Sequence, residues 1–156
     1  MLTLSRRVGE TIYIGDDICV TVYDRLRYHL ILGVLMPANA TLRYGDTCLR
    51  PAILPGGERC YLLTLLSLDD FWVEAPGSMP EQAVRVRVRF NPTYLGASSL
   101  HMRQVKIDIG APPSVAVHRE EIYLRVLRDA GERPPAMPFS AWLHQALHAP
   151  SGRAAA

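Results

Sequence analysis

Val84-Arg85-Val86-Arg87-Val88-Arg89-Phe90 alternates apolar and charged residues without a break. A period of two puts the valines and Phe90 on one face and the arginines on the other, as a strand does and a helix does not. The stretch sets the class: β-structure with one face buried and one face wet. The arginine stripe reads as the solvated face of that strand, with a nucleic-acid track as the less favoured alternative. Downstream, Val105 to Ile109 forms another strand, stopped by Gly110-Ala111-Pro112-Pro113, and Ser114 to His118 a further one. Upstream, Tyr61 to Leu66 and Phe71 to Val73 are apolar runs, with Ala75 to Glu81 and Asn91 to Ser99 as loops.

The N-terminal third repeats the theme. Leu2 and Leu4, then Ile12 and Ile14, flank a turn at Val8-Gly9-Glu10, and Gly15-Asp16-Asp17 makes a second turn. Ile18 to Tyr23, Leu30 to Leu35 and Ala40 to Tyr44 are three further strands. Pro51, Pro55 and Gly56-Gly57 then break regular structure and read as a linker. From Arg119 the apolar period becomes helical (Ile122, Tyr123, Val126, Leu127) and runs to Gly131. Beyond it lies a proline-rich tail, in which Ser140 caps a short helix through His148 that carries Trp142 and Leu143.

The chain has 156 residues, 49% of them hydrophobic, and a net charge of +2. That is enough to bury a core, and too apolar for disorder. The charge is too small for a polybasic protein, so a nucleic-acid site must be a local patch. No apolar run is long enough to span a bilayer, and the N-terminus lacks a signal-peptide pattern. Cys19, Cys48 and Cys60 form no CxxC pair and no zinc spacing, which suits reduced thiols in a cytoplasm; a Cys48–Cys60 pairing stays open. No spacing of His, Cys or acidic residues makes a metal site or a nucleophile motif. The reading is therefore of a non-enzyme with no cofactor.

The two parts of the chain lie over one another. Leu35 to Leu42 align with Gly110 to Val117, Pro37 over Pro112, and Leu49-Arg50 over Leu124-Arg125. Tyr61 to Thr64 align with Met1 to Leu4, which lays Asp70 over Glu10. The implied division is a first copy at 1–54, a linker at 55–60, a second copy with enlarged loops at 61–130, and a tail at 131–156.

Two strings give the repeat a family. Met1-Leu2-Thr3-Leu4-Ser5-Arg6-Arg7-Val8-Gly9-Glu10-Thr11-Ile12 resembles the opening of the CsrA/RsmA family of bacterial translational regulators. Ile109 to Pro112 and Val115-Ala116-Val117-His118-Arg119-Glu120-Glu121-Ile122-Tyr123 resemble that family's close. The resemblance implies an intertwined homodimer of five-stranded protomers, each with a C-terminal helix. RNA is then read where the first strand of one protomer lies beside the fifth strand of the other. Here the resemblance implies an all-β fold with short C-terminal helices, in which two such halves form a pseudo-symmetric, dimer-like sandwich within a single monomeric chain.

The matching ends survive unequally. The first copy keeps Arg6 and Arg7, but shows Arg43-Tyr44-Gly45-Asp46 in place of the His-Arg-Glu-Glu string. The second copy keeps His118-Arg119-Glu120-Glu121, but has Leu66 and Ser67 near the double-arginine positions. Exchange of strands between the copies brings both surviving ends to one site and both lost ends to the other. The resemblance implies recognition of a GGA core in a hairpin loop of an mRNA leader or small RNA. Leu4, Ser5, Val115, Ala116 and Val117 would act through their backbones, Arg119 through its planar fork, and Arg6, Arg7, Lys106 and His118 as contacts to the strand. DNA and membranes are not expected partners; a protein antagonist is. The competing reading is a protein-interaction module or a decoy of such regulation, with weak or no RNA binding.

Overall fold

The computed structural model describes residues 1–45, 51–53, 57–75, 77–91 and 104–133. Among the described residues, eleven strands run in the order β1 Leu2–Arg6, β2 Thr11–Ile14, β3 Ile18–Arg25, β4 Leu30–Met36, β5 Thr41–Arg43, β6 Ala52–Ile53, β7 Arg59–Leu65, β8 Asp70–Glu74, β9 Val84–Arg89, β10 Val105–Gly110 and β11 Val117–Arg119. A short 3-10 turn, Pro80–Gln82, precedes β9, and the helix α1 Glu120–Asp129 follows β11 directly. The all-β class with a C-terminal helix is as the alternation implies. The second short helix of the reading, Ser140 to His148, lies outside the described residues, as do Cys48, Asp46, most of the Asn91 to Ser99 loop and most of the tail.

The strands form a five-stranded sheet in the order β1-β10-β9-β8-β5 and a six-stranded sheet in the order β11-β2-β3-β4-β7-β6. All pairings are antiparallel. Each sheet therefore takes a run of three strands from one segment of the chain and flanks it with strands from the other. β8, β9 and β10 are flanked by β1 and β5; β2, β3 and β4 are flanked by β11 and β7. The inner faces meet in one core that includes Ile12, Val20, Leu32, Val34, Leu63, Phe71, Val86 and Ile107. In β9, Val84, Val86 and Val88 are buried, and the three arginines face out. A slip of one residue in its register would drive three guanidiniums into that core, so the register is tightly held.

Two turns share one hydrogen-bond pattern. In the β1–β2 turn the Arg7 amide donates to Glu10 Oε1 at 2.7 Å and the Gly9 amide to Val22 O at 2.7 Å. In the β7–β8 turn the Leu66 amide donates to Asp69 Oδ2 at 2.8 Å and the Leu68 amide to Val88 O at 2.8 Å. Asp69, not Asp70, thus lies over Glu10, because the carboxylate that closes the turn must stand three residues after the amide it accepts from. The alignment shifts by one residue from the sequence reading. Leu65 and Leu66, rather than Leu66 and Ser67, occupy the places of Arg6 and Arg7.

Three further boundaries differ. β11 begins at Val117 rather than Ser114. Pro112-Pro113 enforces a turn closed by the Val115 amide on Pro112 O at 2.9 Å, and proline offers no ladder donor. Ala52–Ile53, within the stretch read as irregular, pairs with the start of β7 as an edge strand, where a preceding proline is tolerated. Arg59 and Cys60, read as linker, open β7.

Candidate nucleic-acid interface

β1 ends one sheet and β11 ends the other, so each presents a line of backbone groups unused by the ladders. Arg6 ties the two edges together. Period two sets it on the core side of β1 with Leu4, and it is 5% exposed. Its Nη1 and Nη2 donate to Glu121 Oε1 and Oε2, both at 2.9 Å, and Nη1 also donates to Thr11 O at 3.3 Å. Nε donates to Ser5 O at 3.1 Å. A bidentate fork of this kind fixes direction as well as distance. The hydrogen bonds from Arg6 hold the Glu121 carboxyl down to about 2, with the backbone and Arg119 adding to the effect against a smaller opposing desolvation. Glu120 and Glu121 also sit in the first turn of α1, where the helix dipole favours negative charge.

The other residues singled out from sequence divide around this seam. Ser5 faces away from the core, in register with Lys106 on β10, and Lys106 is exposed. Arg7 is exposed at the end of β1. Leu4, Val115 and Val117 are half-buried and packed against the core, while Ala116 is exposed and accepts from the Gly15 amide at 2.7 Å. Met1, Leu2, Pro112, Val115 and Val117 are among the residues that line a cleft of about 260 Å³ at the start of the seam. Arg119 is exposed and close enough to Glu121 to help hold its charge. His118 does not join the seam. It alternates to the opposite face, in register with Tyr13, and borders a cavity of about 320 Å³ beneath α1 with Asp16, Tyr123 and Glu132.

The corresponding seam between β7 and β5 is built from different chemistry. Leu65, in the place of Arg6, is fully buried. Tyr44, in the place of Arg119, donates its hydroxyl to Asp69 Oδ2 at 2.9 Å, and burial and that carboxylate push the phenol up to about 12. Arg43 donates to Glu74 at 2.7 Å and lies over Trp72. β6 covers the beginning of the β7 edge. Sequence reasoning took Arg6 for a contact residue and missed its ion pair. The signal was present in the repeat alignment, where the place of Arg6 and the His-Arg-Glu-Glu string change together, and a buried ion pair predicts that coupling.

Residues 1–42 match the model of CsrA, the global regulator protein family. The matched stretch spans β1 to β4 with the turns between them, the first two residues of β5 and the Arg6-Arg7 pair. No solved structure matches the chain. Among the described residues no three His, Cys, Asp or Glu side chains converge as metal donors.

Proposed function

We propose that this protein is an RNA-binding post-transcriptional regulator that reads a GGA-containing hairpin loop at the β1–β11 seam, with one site per chain. The observation that carries this reading is the contrast between the two seams. One keeps two open strand edges, an exposed Arg7 and an exposed Arg119; the other is closed by Leu65, Tyr44 and Asp69. The family likeness of residues 1–42 supports RNA as the partner, and the sheet order is the one that a fused, strand-exchanged pair of family-like copies would have.

In this reading, backbone groups of Leu4, Ser5 and Val115 to Val117 supply fixed donors and acceptors to splayed base edges. Arg119 supplies a planar fork to a base or phosphate, and Arg7 and Lys106 supply charge. Arg6 is a positioning residue: its guanidinium is spent on Glu121 and Thr11, and it sets how far apart the edges stand. His118 stands beneath α1, on the far side of its strand, and is left out of this contact set.

Titration of a GGA hairpin against one with a scrambled loop tests the assignment. Saturation is expected at one hairpin per chain. Arg119→Ala should cost about 1–3 kcal/mol of binding if the fork reads a base, and Arg43→Ala should change little. With roughly three phosphate contacts the salt slope should be near −2. Two equal sites per chain, or equal losses from both variants, would overturn it. One observation favours a second reading, a protein-interaction module: Leu66 and Leu68 are exposed at the closed seam, where Arg7 and Gly9 stand in the open one. That reading requires no preference between the two hairpins.

A further inference from the structure

The outer faces of the two sheets are finished differently. On the six-stranded sheet α1 covers the face, and Tyr123 stacks on Tyr13 with ring centroids 4.1 Å apart. On the five-stranded sheet no described element covers the face. It carries Arg85, Arg87 and Arg89 along β9 and Lys106 on β10, set against Asp70 and Asp108. Thr3, Asp108, Arg87 and Asp70 form one row across four strands, and Ser5, Lys106 and Arg89 form a second row, both starting on β1.

The two carboxylates are already engaged. Arg85 Nη2 donates to Asp70 Oδ2 at 2.6 Å, and Arg89 Nε donates to Asp108 Oδ2 at 2.6 Å. Arg87 is left 3.7 Å from the Asp70 oxygen that Arg85 holds, and its Nε is buried without a hydrogen-bond partner. Three guanidiniums and an ammonium thus stand against two acids, with Arg85 and Arg87 sharing Asp70 and Arg89 holding Asp108, which leaves this group of side chains positively charged. The acids also hold the flanking forks in fixed orientations. Alternate residues on a strand lie about 6.7 Å apart, a spacing that the phosphates of an extended nucleic-acid strand can follow.

We propose that this face is a second RNA-contacting surface, which takes the phosphodiester backbone of single-stranded RNA flanking the loop bound at the seam. The strand enters past Ser5 and Lys106, on the second row, and runs along Arg89, Arg87 and Arg85. It ends at Trp72, where Arg43 and Arg85 each lie 5.4 Å from the ring and Glu74 neutralises Arg43. The path rests on the RNA-binding reading of the seam, and its contacts are indifferent to base sequence.

The test compares a minimal GGA hairpin, the same hairpin with a six-nucleotide single-stranded extension, and the extension alone, by fluorescence anisotropy at several salt concentrations. The extended hairpin should bind roughly three- to tenfold more tightly than the minimal one, with a salt slope steeper by about 0.7 for each added phosphate contact. Arg87→Gln should remove that gain and leave minimal-hairpin affinity as it was, which also shows that the variant is folded. Asp70→Asn should enlarge the gain. Equal affinity for both hairpins, or a gain that survives Arg87→Gln, overturns the proposal. If no hairpin binds but the extension alone binds in an Arg87-dependent manner, the seam reading fails and the face stands. If neither binds, both fail.

Discussion

Arg6 and Leu65 occupy matching places, and they hold their seams by different physics. Leu65 is apolar filling in an apolar place. Arg6 is a buried cation whose cost is met by a bidentate carboxylate and a backbone carbonyl. Removing its side chain takes one donor from the Thr11 carbonyl and the bidentate fork from Glu121. Arg6→Ala is expected to lower stability by about 2 kcal/mol in denaturant melts. Arg6→Leu, which copies the other seam, should cost less. The pH dependence has a definite sign. The folded-state pKa of Glu121 lies below its ordinary 4.5, at about 2, so its contribution is whole above 4.5 and is lost as pH falls towards 2. Glu121→Gln should therefore be less stable than the parent protein at pH 7, and the two acid-melting curves should converge through that window. A constant difference down to pH 2 would exclude the ion pair as its source.

At the scale of single elements, the two matching turns make a controlled comparison. Gly9 has φ +89°, and a Cβ built there meets nothing within 4 Å, so any cost of substitution is backbone strain alone. Leu68 takes φ 77° in the matching place with its side chain exposed, so no burial offsets that strain. Leu68→Gly should raise stability by about 1 kcal/mol, and Gly9→Ala should lower it by a similar amount, both read as midpoint shifts in urea. The strands themselves were legible, because the alternation in β9 and β10 and the β-branched run in β3 carry their own signatures. β6 was not: two residues after a proline hold no period, and only the neighbouring β7 edge makes them a strand. Nor was the start of β11, since Ser114 to Ala116 alternate plausibly and only the hydrogen bond back to Pro112 shows a turn. In the site, the family strings pointed to both edges of the seam. They could not tell an exposed arginine from a buried one, because Arg6 and Arg7 are adjacent and alternation sends them to opposite sides of the strand. His118 is one residue from Arg119, and the same alternation places it on the opposite face.

On the scale of the whole molecule, neither segment of the chain contains a complete sheet. β8, β9 and β10 lack both flanking strands without residues 2–43, and β2, β3 and β4 lack theirs without the second segment. A fragment covering residues 57–133 should fail to give dispersed amide resonances by itself, and should regain them when mixed with a fragment covering 1–53. A fragment that folds independently would contradict the interleaved core. The same interleaving governs where the asymmetry can lie. Changes at the ends of one segment always fall on opposite seams, since the first and last strands of each segment flank the same sheet at its two sides. One seam could therefore diverge while the other kept its edges and charges.

Since the strands that border the open seam, β1 and β11, belong to one covalent chain, their meeting is a first-order event. Dilution cannot part them, and no second molecule has to be found before the edge exists.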